Sequence, residues 1–258
     1  MELKTLVFVH AHPDDEALLT AGTMARASSQ GHRVVLIVAT DGAAGLASAH
    51  YSENLAATRA HELEVSAAAL GVARVVNLGF ADSGLDGQTT HNFSQVPVVD
   101  VADLIASVLN EEQADILVGY DPSGGYGHPD HVHVHRATRA AAQLCSRDLD
   151  LYEATLPREP IANAVKLAEK LHLTPSNFNA SEFANAWTPR REITHRIDVS
   201  SNMQAKVASL RAHASQASAD GTVRTIAVLT RLPAPLRNVL LGTEYYVRVS
   251  DVPQSAKA

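Results

Sequence analysis

Two stretches of the sequence concentrate groups that bind metal ions and move protons. Residues 10–16 read HAHPDDE, two histidines and three acids around one proline. Residues 124–135 read GGYGHPDHVHVH, where four of the chain's 13 histidines fall within eight positions. Imidazole and carboxylate are good zinc ligands, and a catalytic zinc takes three protein ligands and leaves one position for water. His12 and Asp15, with the rigid Pro13 between them, can turn toward one ion. His131 then completes a set of two histidines and one carboxylate. Asp14 is left beside the metal, within reach of a bound water, where it can act as general base. Asp130 and His128 form a carboxylate–histidine pair that either orients a ligand or takes part in catalysis.

Each cluster also has a plainer explanation. His10 falls inside an apolar run and reads as a core histidine; His133 and His135 read as helix residues without catalytic duty. Asp14, Asp15 and Glu16 are favourable acids for the first turn of a helix, where the dipole prefers negative charge. Pro129 suits the first position of a helix. A capped helix explains one such cluster. It does not explain two that meet at one rim of a sheet.

That both meet there follows from the surrounding elements. TLVFVHA (5–11) is a short Val-rich apolar run ending at a proline, a buried strand. Residues 15–31 carry Leu18, Ala21, Met24 and Ala25 at helical spacing and stop at Gly31. RVVLIVAT (33–40), ARVVNLGF (73–80) and ADILVGY (114–120) are further strands, with helices over 53–70, about 96–111 and from Pro129 onward. Repeated strand–helix units with fully apolar strands predict a doubly wound, mostly parallel α/β sheet with helices on both faces, Rossmann-like. Ligands bind such sheets beyond the carboxyl ends of the strands. HAHPDDE follows the first strand and GGYGHPDH the fourth, so each supplies part of one site. Beyond residue 150 a helix then a polar loop (161–183), a strand (192–200), a helix (201–216) and a strand (243–249) form a C-terminal elaboration of the 1–150 core. Without a linker or repeat, residues 1–258 read as one domain.

Bulk composition bounds the partners. The net charge of -7 argues against nucleic acid or an acidic membrane surface. No apolar stretch reaches 18 residues, so no membrane insertion is expected. The N-terminus turns acidic where a signal peptide needs an apolar region. The lone Cys145 has no internal disulfide partner. Together these suit a cytoplasmic protein; nothing in the residues predicts a homo-oligomer.

AHPDDE (11–16) together with HPDH (128–131) resembles the LmbE-like, or PIG-L, family of zinc-dependent N-deacetylases, closest in look to the mycothiol-type (N-acetylglucosaminyl-inositol) enzymes. TDGAAG (40–45), TRAHEL (58–63), DSGL (82–85) and AHASQ (212–216) resemble further elements of the family, so the likeness covers most of the chain. The resemblance implies one Zn2+ per chain on His12, Asp15 and His131, with Fe2+ or another divalent ion as the alternative. It implies Asp14 as general base, and His128, paired with Asp130, as a positively charged partner of the tetrahedral intermediate or the acid for the leaving amine. Tyr126 would help hold the oxyanion. Arg59 and Asp82 match sugar- or inositol-contacting positions, and His213 a position near the site. The expected partner is a small N-acylated amino sugar or its conjugate, deacetylated or, alternatively, cleaved as in a mycothiol-conjugate amidase. Ala43 and Ala44 stand where family members often carry Glu, which removes one acceptor for sugar hydroxyls. The segment 161–183 is a candidate lid.

Two other classes compete. The same ligand set is the facial triad of non-haem iron oxygenases, but these favour double-sheet barrels and have no use for Asp14. A nucleotide-binding module would need a glycine-rich first turn, and three acids there would repel a pyrophosphate. Serine or cysteine hydrolysis lacks a Gly-x-Ser-x-Gly elbow.

Overall fold

The strands pair as their apolar runs dictate. A computed structural model describes residues 2–42, 55–84, 92–171, 185–217 and 225–250. Strands β1 (Thr5–His10), β2 (Arg33–Thr40), β3 (Arg74–Phe80), β4 (Ile116–Tyr120), β5 (Asp150–Thr155), β6 (His195–Asp198) and β7 (Thr243–Arg248) form one sheet in the order β3-β2-β1-β4-β5-β7-β6. The first five run parallel; β7 and β6 add an antiparallel edge.

Helices cover both faces. On one, α4 (Val98–Glu111) and α6 (Pro129–Leu144) pack on Val7, Val9, Val35 and Ile37. On the other, α2 (Ala21–Ser29) and α3 (Leu55–Leu70) pack on Leu6, Phe8, Leu36 and Val38. The alternation along β1 and β2 is the period-2 geometry of a strand buried on both faces. The remaining helices are α1 (Asp15–Leu19), the short α5 (Gly124–Gly127), α7 (Arg158–Lys170), α8 (Met203–Ala212), α9 (Ala214–Ala217), α10 (Thr225–Arg231) and α11 (Ala234–Leu241).

The structure departs from the sequence pattern in several places. The helix expected over 15–31 splits at Thr20 (φ -134°), whose Oγ1 meets His10 Nε2 at 2.8 Å. The helix expected over 201–216 splits at His213 (φ -83°, ψ 56°). Strand β5, unanticipated, carries buried Glu153, which breaks its apolar run but is paired with Arg139 at 3.0 Å. Of the expected lid, α7 has no buried residue; 172–183 lie outside the described residues, as do Leu85, Ala43 and Ala44. Among the described residues no helix is long and apolar enough to cross a membrane.

Candidate active site

After β1 the chain proceeds to β2 and β3 on one side; after β4 it proceeds to β5 on the other. The crevice between β1 and β4 is thus where the connections diverge, the place where open α/β sheets bind ligands. His12 to Asp15 leave the end of β1, and residues 121–131 leave the end of β4.

Three atoms from the two clusters form an equilateral triangle. Asp15 Oδ2 lies 3.3 Å from His12 Nδ1 and 3.3 Å from His131 Nε2, and those two nitrogens are 3.3 Å apart. The centre of such a triangle is about 1.9 Å from each corner, just inside the roughly 2.0–2.2 Å of nitrogen and oxygen ligands to a small divalent ion. The three atoms could together hold one such ion. The ring nitrogens facing away are also placed as ligand histidines require. His12 Nε2 meets Asp130 Oδ2 at 3.1 Å, and His131 Nδ1 meets the Gly124 carbonyl at 3.2 Å. The ring nitrogens of His12, His128 and His131 also fall within 4.8 Å of one another, as do donors of His12, Asp82, His128 and Asp130.

The surroundings fix Asp15 and His131. Tyr120, at the end of β4, donates its hydroxyl to Asp15 Oδ2 (2.7 Å) and stacks its ring on His131 with centroids 4.4 Å apart. The His12 amide donates to the same carboxylate oxygen at 2.9 Å. Tyr120 O–H, Ser83 and Glu16 are partners the sequence did not single out. Tyr120 reads as the tail of an apolar strand, and Ser83 as a loop serine, although its N–H and hydroxyl both bond Asp130.

Electrostatics mark the cluster as short of positive charge. Burial alone would lower His12, but its hydrogen bonds to the Asp130, Asp15 and Asp82 carboxylates hold its imidazole well above the usual range. A cation in the triangle would take the place of that proton. Burial alone would raise Asp82, yet the His12 hydrogen bond and charge bring it down to about 2. Burial, then the neighbouring Asp15 charge, pushes Asp14 up to about 7. Asp14 occupies the N-cap position of α1, where an aspartate ordinarily bonds the helix's free amides. Its side chain makes no capping bond.

The other expected residues are placed as follows. The sequence suggested a His128–Asp130 pair; the Asp130 carboxylate instead turns to His12 and Ser83, and His128 Nδ1 accepts the Asp130 backbone N–H at 3.2 Å. The helix start imposes this, since His128 is the N-cap of α6 and Asp130 lies in its first turn. A positively charged His128 was also expected; burial, then the His12 and His131 rings, lower it to about 4, so it is neutral at pH 7. With Nδ1 accepting, its proton sits on Nε2. Tyr126 is 44% exposed, its ring 5.3 Å from His131 and 6.1 Å from His128. Arg59 is buried and donates to the Gly42 carbonyl; Asp82 Oδ1 sits 3.4 Å from His12 Nε2. His213, expected among the substrate contacts, is 0% exposed with its Nε2 2.6 Å from Glu16 Oε1, so it meets the site through Glu16. His10 is a core histidine on β1, as its apolar setting suggested.

Comparison with known proteins narrows what such a site does. The GlcNAc-PI de-N-acetylase (PIG-L) family matches residues 7–142. The 1D-myo-inositol 2-acetamido-2-deoxy-alpha-D-glucopyranoside deacetylase of Acidothermus cellulolyticus is 33% identical over 264 residues, covering 95% of this chain and 88% of that one. Among solved structures, N,N'-diacetylchitobiose deacetylase from Pyrococcus horikoshii superposes with a TM-score of 0.66 at 19% identity, covering 96% of this chain and 84% of that one. GalB, the 4-carboxy-2-hydroxymuconate hydratase from Pseudomonas putida, superposes at 0.58 with 17% identity, covering 99% of this chain and all (100%) of that one. One fold thus carries two reactions, and the chemistry has to come from the site and the sequence relatives. These make the chain a hydrolase of N-acetyl amides. It belongs to the GlcNAc-PI de-N-acetylase, or PIG-L, family.

Proposed function

We propose that the protein is a zinc-dependent deacetylase of an N-acetylglucosaminyl-inositol or closely related amino-sugar conjugate. The observation that carries this is the 3.3 Å triangle of His12, Asp15 and His131, with the uncapped Asp14 carboxylate next in the chain. The glucosaminyl-inositol substrate rests on the relatives at 33% identity and above, of which the chain covers most.

His12 Nδ1, Asp15 Oδ2 and His131 Nε2 would hold one zinc. Bound there, zinc lowers the pKa of a coordinated water to roughly 7 and polarises the amide carbonyl. The residues do the rest. Asp14 accepts the proton of the attacking water. Burial, then the Asp15 charge, raise Asp14, and a cation beside Asp15 would offset the second of these and favour the ionised base. His128, neutral with its proton on Nε2, donates a hydrogen bond to the developing oxyanion, and Tyr126 is a second donor. One such donor can contribute about 3–4 kcal/mol. Asp14 then returns the proton to the departing nitrogen, and acetate and a primary amine leave. Asp130 orients His12 through Nε2, and Arg59 and Asp82 are assigned to sugar or inositol hydroxyls.

The test joins metal content to acetate release from N-acetylglucosaminyl-inositol and from N-acetylglucosamine. The expected result is one zinc per chain, lost in His131→Ala, with acetate released by wild type and at least about a thousandfold slower by Asp14→Asn. Zinc without acetate from either compound would overturn the substrate. Full activity in Asp14→Asn would overturn the base, and protein that binds no divalent ion would overturn the site.

A further inference from the structure

Glu16 belongs to the HAHPDDE run, yet it faces neither the metal triangle nor solvent. It is 0% exposed, and both carboxylate oxygens are engaged. Oε2 accepts the backbone N–H of Asp14 at 3.0 Å. Oε1 receives the Ser66 hydroxyl at 2.6 Å and His213 Nε2 at 2.6 Å. Ser66 meets Ser209 at 2.7 Å. The carboxylate therefore ties α1 to α3 and to the α8–α9 junction, 197 residues along the chain. His213 reaches it because the helix breaks there.

What this bond chain ends on is the unusual part. Asp14 has φ 131° and ψ -24°, a positive-φ conformation that a residue with a Cβ rarely adopts. Such an outlier persists only when its surroundings over-determine it, and it concentrates where geometry matters for chemistry. The need is visible here. Successive side chains in a regular helix diverge by about 100°. The turn must nonetheless point His12 and Asp15 at one ion and keep Asp14 beside them. The twist at Asp14 breaks the regular path, and its amide donates its hydrogen bond to Glu16.

We infer that Glu16 and His213 are positioning residues: a buried carboxylate–imidazole pair that holds the backbone of Asp14, and so the aim of its carboxylate, in the strained conformation hydrolysis requires. This rests on Asp14 being the general base. It gives the C-terminal elaboration a task in the chemistry without contact to substrate. A pair that only stabilised the fold would not need to end on the amide of the one residue in this turn with strained backbone.

The test is steady-state kinetics on zinc-loaded enzyme with N-acetylglucosaminyl-inositol, with zinc content measured on each variant. Glu16→Gln keeps an acceptor for the Asp14 amide but loses the charge that His213 holds; Glu16→Leu loses both. Expected are a kcat about 10- to 100-fold below wild type in Glu16→Leu, a smaller loss in Glu16→Gln, and in both an unchanged KM and one zinc per chain. His213→Gln should resemble Glu16→Gln, and the double variant should be no worse than either single one. Should Glu16→Leu fail to fold, Glu16→Gln, His213→Gln and their double still decide the matter. Wild-type kcat in Glu16→Gln and His213→Gln, with Asp14→Asn inactive, overturns the inference and spares the base. A joint loss of zinc and rise in KM also overturns it, by reducing the pair to a structural one. Activity in Asp14→Asn overturns the base assignment itself.

Discussion

Among the described residues, two of the buried charge clusters are built differently. Around Glu244 the groups close on themselves. Lys206 Nζ lies 2.6 Å from Glu244 Oε1, and the same carboxylate accepts the Gly22 and Thr23 amides at 2.8 Å each and the Tyr246 hydroxyl. One cation, one anion and the first free amides of α2 satisfy one another, which is how a helix N-terminus is capped and a buried ion pair made tolerable. Around His12 the groups do not close. Asp15, Asp82 and Asp130 crowd one imidazole, with Asp14 alongside. A cluster that balances internally marks structure, and one that lacks a cation marks a place where something must bind.

The largest expected effect lies in the closed cluster. Lys206→Met leaves Glu244 buried without its partner and should cost about 3–5 kcal/mol in denaturant unfolding, with metal stoichiometry unchanged. Lys206→Met combined with Glu244→Gln should recover part of that loss. If Lys206→Met unfolds like wild type, the two clusters do not differ in the way described.

The Glu16–His213 pair joins the two kinds, closed in charge but bonded to Asp14. Burial alone would lower His213, but Glu16, then Asp14, raise it to about 9. Its folded value lies above its ordinary 6.5, so its stabilisation is complete below about pH 6.5, fades as pH rises and is gone above about 9. Glu16 is held below its ordinary value, so its share is present above about pH 4.5 and fades on further acidification. The stability gap between wild type and His213→Asn should therefore be widest near pH 5–6.5, up to about 3 kcal/mol, and should close by pH 9.5. Denaturant melts across that range check it. A gap that widens toward pH 9.5 would show that His213 is not held charged.

The open cluster should answer to a divalent ion. Adding zinc to chelator-treated protein should raise stability by about 2.7 kcal/mol at a free concentration 100-fold above Kd. His131→Ala should show no such gain, while Lys206→Met should show all of it, which separates the clusters by what each needs.

Much of this was legible in the sequence because its signals are local. The apolar runs of β1, β2 and β4 gave the parallel core, and HAHPDDE and HPDH, each placed just past a strand, marked the rim that holds the triangle. What could not be read depends on distance or on competing signals. Nothing near Asp130 indicates that its carboxylate turns to His12, 118 residues away, instead of to His128. His213 could be placed near the site but not beneath it, because its partner is 197 residues distant. Glu153 disguised β5, and Thr20 looked like an ordinary helix residue until His10 engaged its hydroxyl. Tyr120 gave least warning, since a tyrosine ending ILVGY looks like core and its hydroxyl's partner lies 105 residues earlier.

Tyr120 also gives the finest division between the clusters. Its single proton goes to Asp15 Oδ2 at 2.7 Å, and its oxygen accepts the Ala11 amide at 3.0 Å. The 3.3 Å contact from His10 Nδ1 must then be a donation to the phenol, which leaves His10 Nε2 to accept from Thr20 Oγ1. Burial keeps His10 neutral by lowering it, as that direction requires. Proton donations thus run Thr20 to His10 to Tyr120 to Asp15, and the last member is a corner of the triangle. Tyr120→Phe keeps the ring stacked on His131 and deletes only the hydroxyl. Partners of this kind typically change metal affinity by about 10- to 100-fold, some 1.4–2.7 kcal/mol. Zinc competition against a chromophoric chelator should show Kd raised by that factor, while kcat of the fully loaded variant stays near wild type. An unchanged Kd would mean that the His12 amide alone orients Asp15 and that charge, with no help from the phenol, gives the open cluster its hold on the ion.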